Sequence, residues 1–300
     1  MTADAAEAFP IGFIDTHSHL QVERLDAERP QLMRAAKTAG VESMLLCAGA
    51  PEDWERTLAV AREWGVGAML GIHPLWLDTT TEASLKALRR LAEALLQDPH
   101  FIGIGEVGLD GFEPGLDQEK AEWVFLEELK IARDLGLPLS IHVRRTGSRT
   151  LGLLRRVYGA PGRPGFKPML GAVHAFNGSD VERESFLKFG LKLGFGGAAT
   201  YEGSKRIRRH LAEAADGDWL LETDAPDMPP AARRDAAAAG LCALATQPAD
   251  ILWAARAAAQ LRGIDLDEAV RITRSAAIQA FPRLEALLKL PDAFGRRIPF

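Results

Sequence analysis

Asp15, His17 and His19 sit two residues apart at the end of an apolar run that starts at Phe13. Such a run reads as a β-strand. Successive side chains on a strand point to opposite faces, so these three share one face. Two neutral imidazoles one strand period apart can grip a divalent cation together. A pair of partly solvated histidines at a strand end would satisfy the same spacing, so the pair gains meaning only from what recurs elsewhere in the chain.

Other strand ends carry similar residues. His73 ends Gly71-Ile72-His73-Pro74, and Glu106 lies near the end of the next strand in Gly105-Glu106-Val107-Gly108-Leu109-Asp110. His142 and His174 end the fifth and sixth strands, and Asp224 follows the eighth in Glu222-Thr223-Asp224-Ala225-Pro226. Taken singly, each has a structural explanation. His142 and His174 would serve as hydrogen-bonded core histidines. Glu106 would accept backbone N–H bonds in a glycine-flanked loop, and Asp224 would be a turn residue. Taken together, His17, His19, Glu106, His142, His174 and Asp224 form a metal-ligand set that needs one explanation instead of six. The chain holds only 7 histidines, and five of them fall at strand ends.

The elements that must position these residues alternate regularly. Strands read at 12–17, 41–48, 66–72, 101–107, 137–143, 169–174, 191–195 and 219–221, with helical segments between them. Two further helices, at 251–261 and 266–281, close the chain. This pattern predicts an α/β fold with a parallel sheet and right-handed crossovers. Eight units close into a (β/α)8 TIM-type barrel, in which functional residues gather at the C-terminal strand ends. The rival, an open doubly wound sheet, lacks its glycine-rich fingerprint here. With no Pro/Ser-rich linker, residues 1–300 read as one domain, with 1–10 as a flexible N-terminal extension.

Four histidines and two carboxylates exceed what one catalytic ion needs, which is about three protein ligands. They suit two divalent ions about 3.5–4 Å apart. Glu106 is the expected bridge, with His17, His19 and Asp224 on one ion and His142 and His174 on the other. Asp224 is placed to receive a proton from water. Such ligands suit zinc, manganese, iron or nickel; magnesium prefers oxygen donors.

A net charge of −5 advertises neither a nucleic-acid nor a membrane partner globally, so an anionic substrate must be attracted locally. The 2 cysteines do not suggest a disulfide framework: Cys47 lies in an apolar run and Cys242 in an Ala-rich helical stretch. A reducing, cytoplasmic setting fits. There is no apolar stretch of membrane-spanning length or secretory pattern, and no protein partner is implied beyond a monomer or weak oligomer.

The ordered motifs Asp15-Thr16-His17-Ser18-His19, Gly71-Ile72-His73-Pro74, Gly105-Glu106-Val107-Gly108-Leu109-Asp110, Ile141-His142-Val143-Arg144 and Glu222-Thr223-Asp224-Ala225-Pro226 resemble those of the TatD family. Val173-His174-Ala175-Phe176-Asn177-Gly178-Ser179 and Ala199-Thr200-Tyr201-Glu202-Gly203-Ser204-Lys205 are closest to its YjjV-like branch. The resemblance implies an amidohydrolase-like barrel and a metal-dependent hydrolase with deoxyribonuclease activity that works with magnesium, manganese or zinc. It also implies the same six ligands. Thr246 and Ser275 stand where the family often has asparagine, and Arg145 stands where it often has an acidic residue.

Nucleic-acid ends are the expected substrate, with Glu106 and Asp224 catalytic and with His73 and Arg144 holding phosphate oxygens. Strand alternation puts Arg144 on the face of His142, and an ion pair with a loop carboxylate such as Asp110 is the alternative. A small-molecule amidohydrolase or esterase on the same barrel is the alternative. The basic run Lys205, Arg206, Arg208 and Arg209 would meet a nucleic-acid backbone or form a solvated helix face.

Overall fold

The computed structural model describes residues 12–291, 293 and 294. The expected extension at 1–10 lies outside the described residues. Among them are eight strands: β1 (Phe13–Ser18), β2 (Val41–Cys47), β3 (Gly67–Leu70), β4 (Phe101–Asp110), β5 (Leu139–Arg144), β6 (Gly171–Val173), β7 (Lys192–Phe195) and β8 (Trp219–Leu221). The helices are α1 (Arg29–Thr38), α2 (Trp54–Trp64), α3 (Glu82–Ala94), α4 (Gln118–Leu135), α5 (Gly147–Tyr158), α6 (Asp180–Phe189), α7 (Lys205–Glu213), α8 (Ala231–Ala238), α9 (Ile251–Arg262), α10 (Leu266–Ala280) and α11 (Leu284–Leu288).

The strands pair in chain order, each parallel to the next. The ring closes between β1 and β8 through a bridge from Ser18 to Ala225. Beside it, Asp224 N donates to His17 O at 2.9 Å and His19 N donates to Ala225 O at 2.7 Å. Thr16 Oγ1 donates to Leu221 O at 3.0 Å, and Asp15 accepts from both Thr223 N and Thr223 Oγ1. Asp15 thus fastens the seam and does not join the ligand group.

Strand side chains alternate between two apolar cores. Phe13, Met44, Leu46, Leu70, Phe101 and Ile141 pack with the surrounding helices. Ile14, Leu45, Met69, Ile102 and Leu220 form the other core, with Ala276, Ala280, Phe281, Leu284 and Leu287 from the last two helices and the turn between them. Each fully buried Leu, Ile or Phe contributes about 1.5–3 kcal/mol, so the alternation strongly fixes register.

Two strands depart from regular pairing where chemistry is expected. In β1–β2, Asp15 pairs Met44 and Ser18 pairs Leu46, so one extra residue is accommodated around His17. In β4–β5, Ile104 pairs Leu139 and Val107 pairs Ile141, so another falls around Glu106. Such bulges re-aim side chains. Contrary to expectation, β4 does not stop at Val107: it pairs with β5 as far as Asp110–Arg144, and Glu106 lies inside the strand. Gly108 permits this. Its φ is +142°, and a Cβ there would collide with the His142 carbonyl oxygen, so only glycine lets the strands approach.

Two helices escape sequence periodicity. No residue of α8 is buried, so it has no apolar face to read, and α11 spans only 5 residues. Cys242, expected in a helix, lies exposed in the irregular stretch after α8.

Candidate metal centre

The six expected ligands converge, and His73 joins them. Glu106 lies at the middle. Its Oε2 is 3.2 Å from Nε2 of both His17 and His19. Its Oε1 is 2.8 Å from His174 Nε2, 2.9 Å from His142 Nδ1 and 3.2 Å from His73 Nε2. Asp224 Oδ1 is 3.3 Å from His19 Nε2 and 3.6 Å from His17 Nε2. Three ligand groups follow: His17, His19 and Asp224; His17, Glu106 and His174; and His73, Glu106 and His142. His142 Nδ1 and His174 Nε2 also lie 3.3 Å apart, beside Glu106 Oε1.

Contacts behind the rings fix which nitrogen faces inward. His19 Nδ1 is 2.8 Å from the Cys47 carbonyl, which can only accept, so Nδ1 carries the proton and the Nε2 lone pair faces the centre. His142 Nε2 donates to Asp110 Oδ2 at 3.0 Å, leaving the Nδ1 lone pair toward Glu106. His17 Nδ1 meets Ser140 Oγ at 2.8 Å. His73 is the exception. Its Nδ1 accepts from Leu75 N at 3.2 Å, so the neutral ring carries its proton on Nε2 and donates toward Glu106. His73 is therefore built as a hydrogen-bond donor at the centre.

Electrostatics point the same way. Burial pushes the Glu106 carboxyl up, but the surrounding His73, His174 and His17 outweigh it and hold the acid well below the usual range. Asp224 is likewise held low against its burial by His19, His174 and His17. Burial opposes charge on His174, yet Glu106, Asp224 and Glu222 raise it to about 9. Burial and the neighbouring His174 lower His17 to about 4. Buried Glu106 and partly buried Asp224 thus call for positive charge between themselves and the imidazoles. Inward lone pairs 2.9–3.2 Å from carboxylate oxygen repel unless a proton or cation lies between. The donor set therefore fits divalent cations.

Arg144 contacts no ligand of this cluster and takes up the alternative, a place beside Asp110. Its guanidinium carbon stacks 3.8 Å from the Phe112 ring centroid, and Nη1 is 3.7 Å from the same Asp110 oxygen that holds His142. Asp110, Ser140 and the Cys47 carbonyl orient the candidate ligands His142, His17 and His19, roles that sequence reasoning missed. A carboxylate 32 residues from its histidine, a lone serine and a backbone oxygen carry no local signal. His100 and His210 stay outside the cluster, on the Val66 carbonyl and Asp180. In the basic helix α7, Arg206 binds Asn177, Arg208 the Ala199 carbonyl and Arg209 Asp180, so three of its four Lys and Arg side chains are tied into the fold, and of these only Arg209 meets a carboxylate.

A parallel eight-stranded barrel with imidazoles and carboxylates gathered at the C-terminal ends of its strands is the frame of a metal-dependent hydrolase. The chain belongs to the TatD family: the model for TatD related DNase matches residues 14–282. It is 34% identical over 248 residues to the uncharacterized metal-dependent hydrolase YjjV of Escherichia coli, covering 79% of this chain and 92% of that one. The crystal structure of that TatD homologue superposes with a TM-score of 0.79 at 30% identity, over 90% of this chain and 98% of the other. A protein of Cronobacter turicensis named 3'-5' ssDNA/RNA exonuclease TatD is 34% identical over 228 residues, 74% of this chain and 79% of its own. Among the described residues no helix is long and apolar enough to cross a membrane.

Proposed function

We propose that this hydrolase cleaves phosphodiester bonds at nucleic-acid ends through a two-ion site, with the whole chain acting as one domain. One observation carries the proposal. Glu106 turns Oε2 to His17 and His19 and Oε1 to His142 and His174, so one carboxylate serves two separate imidazole sets. His17, His19 and Asp224 would hold one ion, His142 and His174 the other, with Glu106 between them. Magnesium, manganese or zinc ions held there supply Lewis-acid polarisation of the phosphoryl group and a more acidic water.

The chain's own residues do the rest. Asp224, kept ionised, takes the proton of the attacking water. His73 donates Nε2–H to a phosphoryl oxygen once substrate draws it from Glu106. Arg144, next to Asp110, holds a phosphate oxygen of the substrate near the ions. Asp110 and Ser140 keep His142 and His17 oriented. The nuclease name of the Cronobacter relative supports the substrate class.

The test is hydrolysis by purified protein of single-stranded DNA, a p-nitrophenyl phosphodiester and small amides and esters, each with Mg²⁺, Mn²⁺ and Zn²⁺. Metal-dependent turnover of the phosphodiesters is expected. Turnover of amides or carboxylic esters alone would replace this proposal with a small-molecule hydrolase.

A further inference from the structure

Arg145 follows the last residue of β5, and on a continuing strand its side chain would point away from that of Arg144. It does not. Arg145 has φ +59°, a left-handed backbone that non-glycine residues rarely adopt. The turn brings both guanidinium groups to one ring: Arg144 lies 3.8 Å and Arg145 4.6 Å from the Phe112 centroid. Gly111 and Arg144 lock the two loops together, with Gly111 N donating to the Arg144 carbonyl at 2.7 Å. A glycine at 145 would make the turn without strain but would bring no charge to the Phe112 ring.

The charges here do not balance. Asp110, the only carboxylate within ion-pair distance of either guanidinium among the described residues, already binds His142 and faces Arg144 alone. Arg145 is exposed and has no acidic partner among the described residues. Two cations sharing one face-exposed aromatic ring repel each other, and an anion between them relieves that repulsion. Planar guanidiniums recognise phosphate oxygens in a paired fork, and stacking on Phe112 pre-orients both. The pair lies one side chain beyond His142, through Asp110, so its anion is near the reacting phosphate without being it.

We propose that Arg144, Phe112 and Arg145 form an anion subsite for a second phosphate of the substrate, next to the phosphodiester that reacts. The inference rests on the phosphodiesterase proposal and narrows it: the preferred substrate carries at least two phosphates.

Thymidylyl-thymidine tests this when compared with its 5′-phosphorylated and 3′-phosphorylated forms, in kcat/KM and in binding by competition against a fluorescein-labelled oligothymidylate. Wild type should prefer one phosphorylated form, and which one tells the side on which the second phosphate lies. Arg145→Met, and separately Arg145→Gly, which relaxes the backbone, should both reduce that preference about ten-fold or more, mainly through KM. Arg145→Lys should restore part of it. No preference in wild type, or a preference unchanged in both variants, overturns the subsite. Should no dinucleotide be hydrolysed, the phosphodiesterase proposal fails, and the binding preference with its loss in Arg145→Met still decides the subsite separately.

Discussion

Asp110 Oδ2 lies 3.0 Å from His142 Nε2, and this contact decides that Nδ1 faces Glu106. Burial would raise the Asp110 carboxyl, but His142 and the backbone N–H groups of Glu113 and Phe112 hold it far below the usual range. Such outer partners are worth about 10–100-fold in metal affinity. Asp110→Asn keeps the shape and loses the charge, so zinc affinity measured against a competing chelator should fall within that range. Unchanged affinity would show that His142 needs no such partner.

Glu106→Ala should abolish hydrolysis and lower bound metal, as read by mass spectrometry of the dialysed protein. The fold should survive, because β4 is held by backbone pairing on both sides and by apolar neighbours. Circular dichroism should show a folded protein with a cooperative melt. Wild-type activity together with wild-type metal content would end the two-ion proposal.

Arg144→Met should lower kcat/KM on a phosphodiester by about 2–4 kcal/mol in transition-state terms, with Arg144→Lys also impaired. A neutral ester, if one is turned over, should lose far less. Equal losses on both substrates with intact metal content would give Arg144 a purely structural role beside Asp110 and Phe112.

Glu128 on α4 is fully buried, and its Oε1 accepts from Ile72 N at 2.7 Å. Burial raises its carboxyl well above the usual value of 4.5, more than the Ile72 hydrogen bond lowers it. The folded protein therefore keeps a proton that the unfolded chain loses above pH 4.5. That stability is full below this pH and is lost at about 1.4 kcal/mol per pH unit until the raised folded value is reached. Glu128→Gln keeps the acceptor and removes the titration. Urea midpoints from pH 5 to pH 8 should fall less steeply in the variant, and parallel curves would refute the assignment.

Much of this protein could be read from its sequence because two periodicities coincide. Period-two alternation in Phe13–Ser18 placed His17 and His19 on one face, and the recurrence of ligand residues at strand ends pointed to a single rim. What was missed depends on contacts across the barrel. Glycine-rich 105–108 hides the bulge that swings Glu106 inward, so the strand was expected to stop early. His73 carried no sign that Leu75 N would fix its tautomer. Arg144 was expected to follow His142 by alternation, but its long side chain is captured by Phe112, an exposed aromatic in another loop.

The seam between β1 and β8 fastens residues 208 positions apart. Closing so long a loop carries an entropic cost that grows only slowly with length, but it must be met where the ring is joined. Here β8 has 3 residues, and the join consists of one bridge and a few side-chain and backbone bonds. Those bonds run through Asp15, His17, His19, Thr223 and Asp224, so the residues that would grip an ion are also the clasp of the ring. An ion held by His17, His19 and Asp224 would tie together the same two ends of the chain. The amide protons of His19 and Asp224, each bonded across the seam, are natural reporters of it: their exchange with solvent deuterium times how often the hoop of strands springs open.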